Sequence, residues 1–425
     1  MTRRPLTVRL YASATAFLEP LAGALLRGRA ARGKEDPARL DERLGRASRA
    51  RPPGPLVWLH AVSVGEGMSL LPLVQALRAR RPDLALLVTS GTRTSAELLA
   101  RRLPPGVIHQ YAPIDAPGAV TRFLDHWRPQ AGLLVESELW PNLILAARRR
   151  GVRLALLSAR MTDASAKGWA RAPAAARCIL SSFDLVLAQE AATEARLREL
   201  GATVGPRLNL KLVGDPLPAD EAELARMRAA IGSRKVVLAA STHAGEEPLV
   251  ARAFEWADLG EALLIVVPRH PERGESVAKL LEGEGLSVAL RSRGERPSAA
   301  TQAYVADTLG ELGLFFRLAD VVVMGGAFEL DIGGHNPLEP ARLGAAIITG
   351  PHMFNAQEVY AEMCAEAAAI EAVDGEHLAR HLRGLLENPA IARRFGEAAL
   401  AYAERQGRAL DEALLRLEPL LPPAP

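Results

Sequence analysis

The sequence predicts an α/β protein built from two Rossmann-like domains, each a parallel sheet with helices on both faces. Three observations carry this. The chain has 425 residues, more than one ordinary core accommodates, so two domains are expected. Short, almost wholly apolar runs alternate with amphipathic helical stretches, the pattern of strands buried on both faces. The alternation stops at Gly214-Asp215-Pro216-Leu217-Pro218-Ala219-Asp220 and then starts afresh.

In the first half the strand candidates are Leu56–His60, Leu84–Ser90, Val107–Tyr111, Ala131–Glu136, Arg153–Ser158 and Leu185–Ala188. Helical periodicity fills the gaps, as at Ser69–Arg80 and Leu143–Arg150. The second half offers Lys235–Ala240, Ala262–Val267, Leu286–Leu290, Gln302–Val305, Asp320–Met324 and Ala345–Thr349, and the last forty residues read as helix. The expected division is an anchor and basic segment over 1–50, a first domain over 51–215, a linker over 216–232 and a second domain over 233–425. Two such domains facing each other enclose a cleft. Ligands of doubly wound sheets sit beyond the carboxyl ends of the strands, so the motifs that matter are those just after strands.

Composition narrows the function. Hydrophobic residues make up 49% and charged residues 24%, which describes a globular chain. Aromatics at 4% argue against a nucleic-acid platform of stacked rings. Cys178 and Cys364 are far apart and no His-Glu-x-x-His pattern occurs, so neither a disulfide framework nor a metal centre is expected. The basic residues are mostly arginines, which suit phosphate and carboxylate recognition or simply reflect a GC-rich genome.

Leu10 to Leu26 is an apolar stretch interrupted by Glu19 and Pro20. It is short for a clean span, so it reads as a weak membrane anchor or as an amphipathic helix packed on the domain. Arg27, Arg29, Arg32, Lys34, Arg39, Arg43, Arg46, Arg49 and Arg51 follow closely, placing the domain on the cytoplasmic side and favouring anionic headgroups.

Four motifs fall at strand ends. Ser63-Val64-Gly65-Glu66 follows the first strand, with a helix expected from about Met68. Glu66 there is either a general base or a complement to the helix dipole. The Gly-x-Gly-x-x-Gly fingerprint is absent, which speaks against hydride chemistry with a nicotinamide. Glu136 and Glu138 end a buried strand, a costly place for charge unless it is paired. Lys211 is the available cation, in a functional pair or a structural salt bridge.

In the second half, Ser241, Thr242 and His243 lead from a strand into a helix whose hydroxyls and free amides would hold an anion. Pro268-Arg269-His270 adds cations at the same edge. Met324-Gly325-Gly326 precedes Gly333-Gly334-His335-Asn336-Pro337-Leu338-Glu339-Pro340, read as an Asn336 N-cap with Glu339 completing a capping box, the glycines admitting a phosphate.

Taken in order, these pieces resemble the bacterial 3-deoxy-D-manno-octulosonic acid (Kdo) transferases of lipopolysaccharide assembly. The motifs concerned are Glu42-Arg43-Leu44-Gly45, Ser63 to Glu66, Glu138-Leu139-Trp140-Pro141-Asn142, Pro268 to Arg273 and Gly333 to Pro340, and the resemblance covers nearly the whole chain. It implies a GT-B fold and an inverting transfer of Kdo from CMP-Kdo to a lipid A precursor, without a metal or other cofactor, at the cytoplasmic face of the inner membrane. It also implies that Glu66 is the proton acceptor and that Glu136 and Lys211 stabilise the transition state. Pro268 and Arg269, the turn Leu309-Gly310-Glu311, and the segment around Gly334, His335, Asn336, Pro337, Leu338 and Glu339 fall where the family binds CMP. Where the family reads Leu-Lys-Phe-Asp, this chain has Leu210-Lys211-Leu212-Val213. The competing readings are a GT-B enzyme or epimerase using a UDP-sugar, and a non-catalytic nucleotide-sugar or lipid-binding module.

Overall fold

The computed structural model describes residues 4–424. The chain divides into two compact units, one of residues 1–213 with 408–425 and the other of 214–407.

Unit 1 contains six strands, β1 (Leu56–His60), β2 (Ala85–Ser90), β3 (Ile108–Tyr111), β4 (Ala131–Val135), β5 (Arg153–Ala159) and β6 (Leu185–Ala188). All pair in parallel, in the order β3-β2-β1-β4-β5-β6. Every residue of β1 and β4 is buried, which is why their sequences are apolar throughout instead of alternating. Gly132 lies under the rings of the core: a Cβ there would stand 2.9 Å from both Trp58 and Leu154. Trp58 Nε1–H is satisfied by the Thr89 hydroxyl at 2.8 Å. The chain builds outward from β1 to β3, then returns to β4 on the other side of β1. The strand order therefore reverses between β1 and β4, which is where such sheets bind ligands.

Unit 2 repeats the plan with β7 (Val236–Thr242), β8 (Leu263–Pro268), β9 (Val288–Leu290), β10 (Ala303–Val305), β11 (Val321–Met324), β12 (Ala346–Thr349) and β13 (Ile370–Glu371). The order is β13-β12-β11-β7-β8-β10-β9, again parallel, with the reversal between β7 and β11. The two-residue β13 is too short to leave a sequence pattern.

Three expectations need correction. The span 216–232 is not a plain linker, because Glu221–Ile231 is a helix. The Asp220 carboxylate caps it by accepting the Glu223 N–H at 3.0 Å, and Leu224, Met227 and Ile231 are buried. The C-terminal residues do not all stay with the second domain. Helix Pro389–Leu417 runs on until Leu410, Ala413, Leu414, Leu417 and Leu420 join the unit 1 core beside Leu70 and Val74.

The N-terminal fifty residues, finally, belong to unit 1 rather than standing apart. Helices Leu6–Leu18 and Ala22–Ala30 are joined by a single turn at Glu19–Leu21. The charge that interrupts the apolar stretch docks it: Glu19 accepts the Gly118 N–H at 2.8 Å and pairs with Arg122 at 2.9 Å, at the start of helix Pro117–Trp127. Among the described residues no helix is long and apolar enough to cross a membrane. Much of the expected lipid-facing basic cluster is also used internally. Arg39 pairs with buried Glu42, Arg43 with buried Glu35, and Arg51 donates to the Trp127 carbonyl at 2.8 Å. Gly45 lets this segment lie on the neighbouring helix, since a Cβ would collide with the Ala119 carbonyl.

Candidate active site

In unit 1 the residues after β1 and β4 converge at the reversal. Helix Val64–Arg80 begins four residues earlier than the sequence pattern indicates, because Ser63 caps it and places Glu66 in the first turn. The Ser63 hydroxyl accepts the Glu66 N–H at 3.3 Å. The Glu66 carboxylate in return accepts the Val62 N–H at 2.6 Å and the Ser63 hydroxyl at 3.0 Å. Burial raises its pKa; these hydrogen bonds oppose the rise, while Glu136 adds to it. Both roles open from the sequence are thus compatible: Glu66 complements the helix start and remains a basic, buried carboxylate.

Strand β4 delivers the other acids. Glu136 follows it with φ 58°, a left-handed conformation that L-residues rarely adopt, and is buried. Lys211 Nζ lies 2.7 Å from Glu136 Oε1, so the structure pairs the two residues that the sequence offered as partners. Lys211 is set by the short turn Leu210–Leu212, whose start is capped when Asn209 accepts the Lys211 N–H at 3.1 Å. Glu138 is half-buried, and its pKa is raised to about 7 by burial, then by repulsion from Glu66 and Glu136, against a hydrogen bond with Trp140. Trp140 stands edge-on to His60, ring centroids 5.3 Å apart. Burial lowers the His60 pKa to about 3, leaving that ring uncharged. Glu138 sits within the sequence motif, yet no role attached to it. What marks it is its electrostatic surroundings, which only the fold assembles.

In unit 2 the reversal collects a different set. His243, after β7, and His335, in the loop after β11, lie with Nε2 atoms 2.9 Å apart and rings stacked at 5.1 Å. At that contact one nitrogen donates and the other accepts, so at most one proton lies between them. Burial lowers both pKa values, that of His335 to about 4, and Arg269 after β8 lowers them further. Glu339 is half-buried, and its desolvation raises its pKa against the pull of Arg342 and Arg269. His243, Arg269, His335 and Glu339 therefore share one neighbourhood. Ser241 enters it with φ 60°, another left-handed residue at a strand end. Pro268 closes β8 in register with Thr242.

Several expected donors of unit 2 are already committed. The Thr242 hydroxyl is buried on Glu247 at 3.0 Å, and Glu247 is paired with Arg273 at 2.7 Å. The amides expected to be free are held by a carboxylate of the protein itself: Glu246 accepts the N–H groups of His243, Gly326 and Phe328 at 2.9, 2.7 and 3.0 Å. The capping reading of Asn336 shifts as well. Helix Leu338–Ala341 has four residues, with Pro337 at its N-cap, and Asn336 accepts the Leu338 N–H at 3.1 Å from outside it. Gly334 adopts φ 79° in the approach to that helix, and Gly333 packs on the Phe354 ring, which a Cβ would meet at 2.4 Å. The turn Leu309-Gly310-Glu311 follows β10, the strand beyond β8; Leu309 is exposed and Glu311 is taken by Arg291, at 2.6 Å from its Nε. A cavity of about 480 Å³ lies at the amino ends of β7, β11 and β12, between Lys235, Asp320 and Arg393, and no residue singled out from the sequence lines it. Among the described residues no group of three or more His, Cys, Asp or Glu is arranged to hold a metal ion.

Comparison with known proteins identifies the family. The family profile of 3-deoxy-D-manno-octulosonic-acid transferases (kdotransferases) matches residues 38–213. A 3-deoxy-D-manno-octulosonic acid transferase of Rickettsia bellii is 33% identical over 412 residues, covering 96% of this chain and 98% of that one. A probable mitochondrial 3-deoxy-D-manno-octulosonic acid transferase of Arabidopsis thaliana is 38% identical over 357 residues, covering 81% and 80%. The crystal structure of a glycosyltransferase from Rickettsia africae superposes with a TM-score of 0.60 at 10% identity, over 87% of this chain and 99% of that one, which speaks for the fold alone. With acidic and basic clusters at the reversal points of two parallel sheets, and relatives matched almost end to end, this chain belongs to the 3-deoxy-D-manno-octulosonic acid transferase family and is a glycosyltransferase.

Proposed function

We propose that the enzyme transfers Kdo from CMP-Kdo to a lipid A precursor with inversion, in the GT-B manner and without a metal. The observation that carries this is Glu66: a buried carboxylate of raised basicity at the reversal point of unit 1, beside the Glu136–Lys211 pair. The acceptor hydroxyl oxygen attacks the anomeric carbon of Kdo and forms the new C–O bond. Its proton passes to Glu66 as the bond from that carbon to the phosphate oxygen breaks. CMP departs as a stabilised phosphate monoester, so no general acid is required. Lys211 and Glu136 steady the charge that develops, and Arg269 with the His243–His335 pair holds the anionic donor. Incubation with CMP-Kdo and tetra-acylated lipid A precursor should yield product heavier by one or more Kdo units, with CMP released. Competition by UDP in place of CMP would turn the reading to a UDP-sugar enzyme.

The acceptor is a lipid, and the N-terminal helices fit a membrane surface on the cytoplasmic side of the inner membrane. Leu6, Leu10, Phe17, Leu18, Leu21 and Leu25 are exposed, Phe17 at 82%, with exposed Arg27, Arg32 and Lys34 just beyond. That is the make-up of a helix lying in the interface rather than crossing it. Co-sedimentation with anionic vesicles tests this: Phe17→Glu should release the protein, and unchanged binding would place the membrane contact elsewhere.

A further inference from the structure

Helix Pro141–Arg149 begins directly after the loop that carries Glu136 and Glu138, and it has no cap of its own. Trp140 at its N-cap makes no side-chain hydrogen bond to it, and Pro141 follows. The open N–H groups of that first turn are satisfied from elsewhere in unit 1. Asp115, in the loop after β3, accepts the Asn142 N–H at 3.1 Å and the Leu143 N–H at 2.8 Å. The Asp115 carboxylate also accepts the Tyr11 hydroxyl at 3.0 Å. The Asn142 side-chain amide donates to the Asp115 carbonyl at 2.6 Å and to the Thr15 hydroxyl at 2.9 Å, and Thr15 donates onward to the Tyr11 carbonyl at 2.9 Å. Asn142 ends the Glu138-Leu139-Trp140-Pro141-Asn142 motif and has no part in the proton transfer.

The two N-terminal residues of this network lie on one side of their helix. Val8, Tyr11 and Thr15 are spaced by three and four along Leu6–Leu18, and Val8 is buried, whereas Leu6, Leu10 and Phe17 fall on the opposite side and are exposed. The loop from Glu136 to Trp140 is thus held at both ends. Its start is fixed by the Glu136–Lys211 pair and by the Glu136 N–H on the Leu157 carbonyl at 3.2 Å. Its far end is fixed through the N-terminal helix. We propose that helix Leu6–Leu18 is a positioning element for transfer, with Tyr11 and Thr15 acting through Asp115 and Asn142 to hold the loop that carries Glu136 and Glu138. This rests on the reading of that loop as part of the site. One side of the helix then meets the lipid and the other sets the acids. Loosening the helix frees the first turn of Pro141–Arg149 and lets Glu136 drift from Lys211, while donor binding in unit 2 is untouched.

Tyr11→Phe/Thr15→Val removes both side-chain links and leaves Glu136, Glu138, Lys211 and the exposed apolar side as they are. Its kcat should fall about tenfold, the equivalent of roughly one net hydrogen bond, with CMP affinity by calorimetry and co-sedimentation with anionic vesicles unchanged. Thr15→Ser, which keeps the hydroxyl, should turn over like the wild type. In substrate-free protein, iodide quenching of half-buried Trp140, taken as the difference between each protein and its Trp140→Phe counterpart, should rise in the double variant as the loop loosens. Should the double variant fold poorly, Tyr11→Phe alone deletes a single oxygen and gives the same two readouts at smaller size. A wild-type kcat in the double variant, a Trp140 as protected as in the wild type, or an equal loss in Thr15→Ser would overturn the proposal. Because the quenching contrast needs no substrate, its presence without Kdo transfer counts against the transferase reading alone, and transfer without the contrast counts against the positioning alone.

Discussion

After β1 and β4, unit 1 places Glu66, Glu136 and Glu138, with Glu136 paired to Lys211. After β7 and β11, unit 2 gathers His243, His335 and Arg269, while its own acids turn inward. Each unit has a carboxylate in the first turn of the helix after its first strand, and the two meet different fates. Glu246 is fully buried and bound to three backbone amides from two loops. Glu66 has fewer such bonds, one from the Val62 amide and one from the Ser63 hydroxyl, although burial and a neighbouring acid raise the pKa of both carboxylates. Corresponding places in the two units thus hold a strut in one and the proposed proton acceptor in the other. What differs is the set of donors: three backbone amides use up the Glu246 carboxylate, whereas Glu66 accepts from one amide and one hydroxyl.

That comparison can be broken at three points. The largest effect belongs to Glu66→Gln, which should lower kcat by roughly 100–10,000-fold, the usual contribution of a general base, while CMP affinity measured by calorimetry stays the same. Arg269→Ala should act on the other side, weakening CMP by about 10–100-fold if one charge-assisted hydrogen bond worth about 1.5–3 kcal/mol is lost, with the pH profile of turnover preserved. Smallest in functional terms is Glu246→Gln, expected to cost about 1–3 kcal/mol of stability in chemical denaturation, because an amide cannot satisfy three N–H donors as the carboxylate does. If Glu246→Gln abolished transfer without loss of stability, the division into strut and acceptor would be wrong.

Much of this was legible in the chain. The parallel strands were placed within a residue or two at most ends, because burial on both faces leaves unbroken apolar runs such as Leu56–His60. The Glu136–Lys211 pair could be anticipated because a buried strand end demands a partner for its charge. Other features were hidden by distance along the chain. Glu19 looked like a flaw in an anchor until Gly118 and Arg122, about a hundred residues on, supplied its partners. The return of Leu410 to Leu420 to the first unit depends on which core their apolar face meets, which no periodicity specifies. Glu246 shows the same limit in charge: it is an acid just beyond a strand, and only the assembled loops bring three backbone amides to it.

The most direct measurement is the mass of the lipid product formed from CMP-Kdo and tetra-acylated lipid A precursor, by wild type and by Glu66→Gln at equal CMP occupancy. The wild type should add Kdo with matching release of CMP, and the variant should leave the lipid almost unmodified. Kdo addition by Glu66→Gln at a near-wild-type rate would contradict the assignment of the base, and with it the account of unit 1.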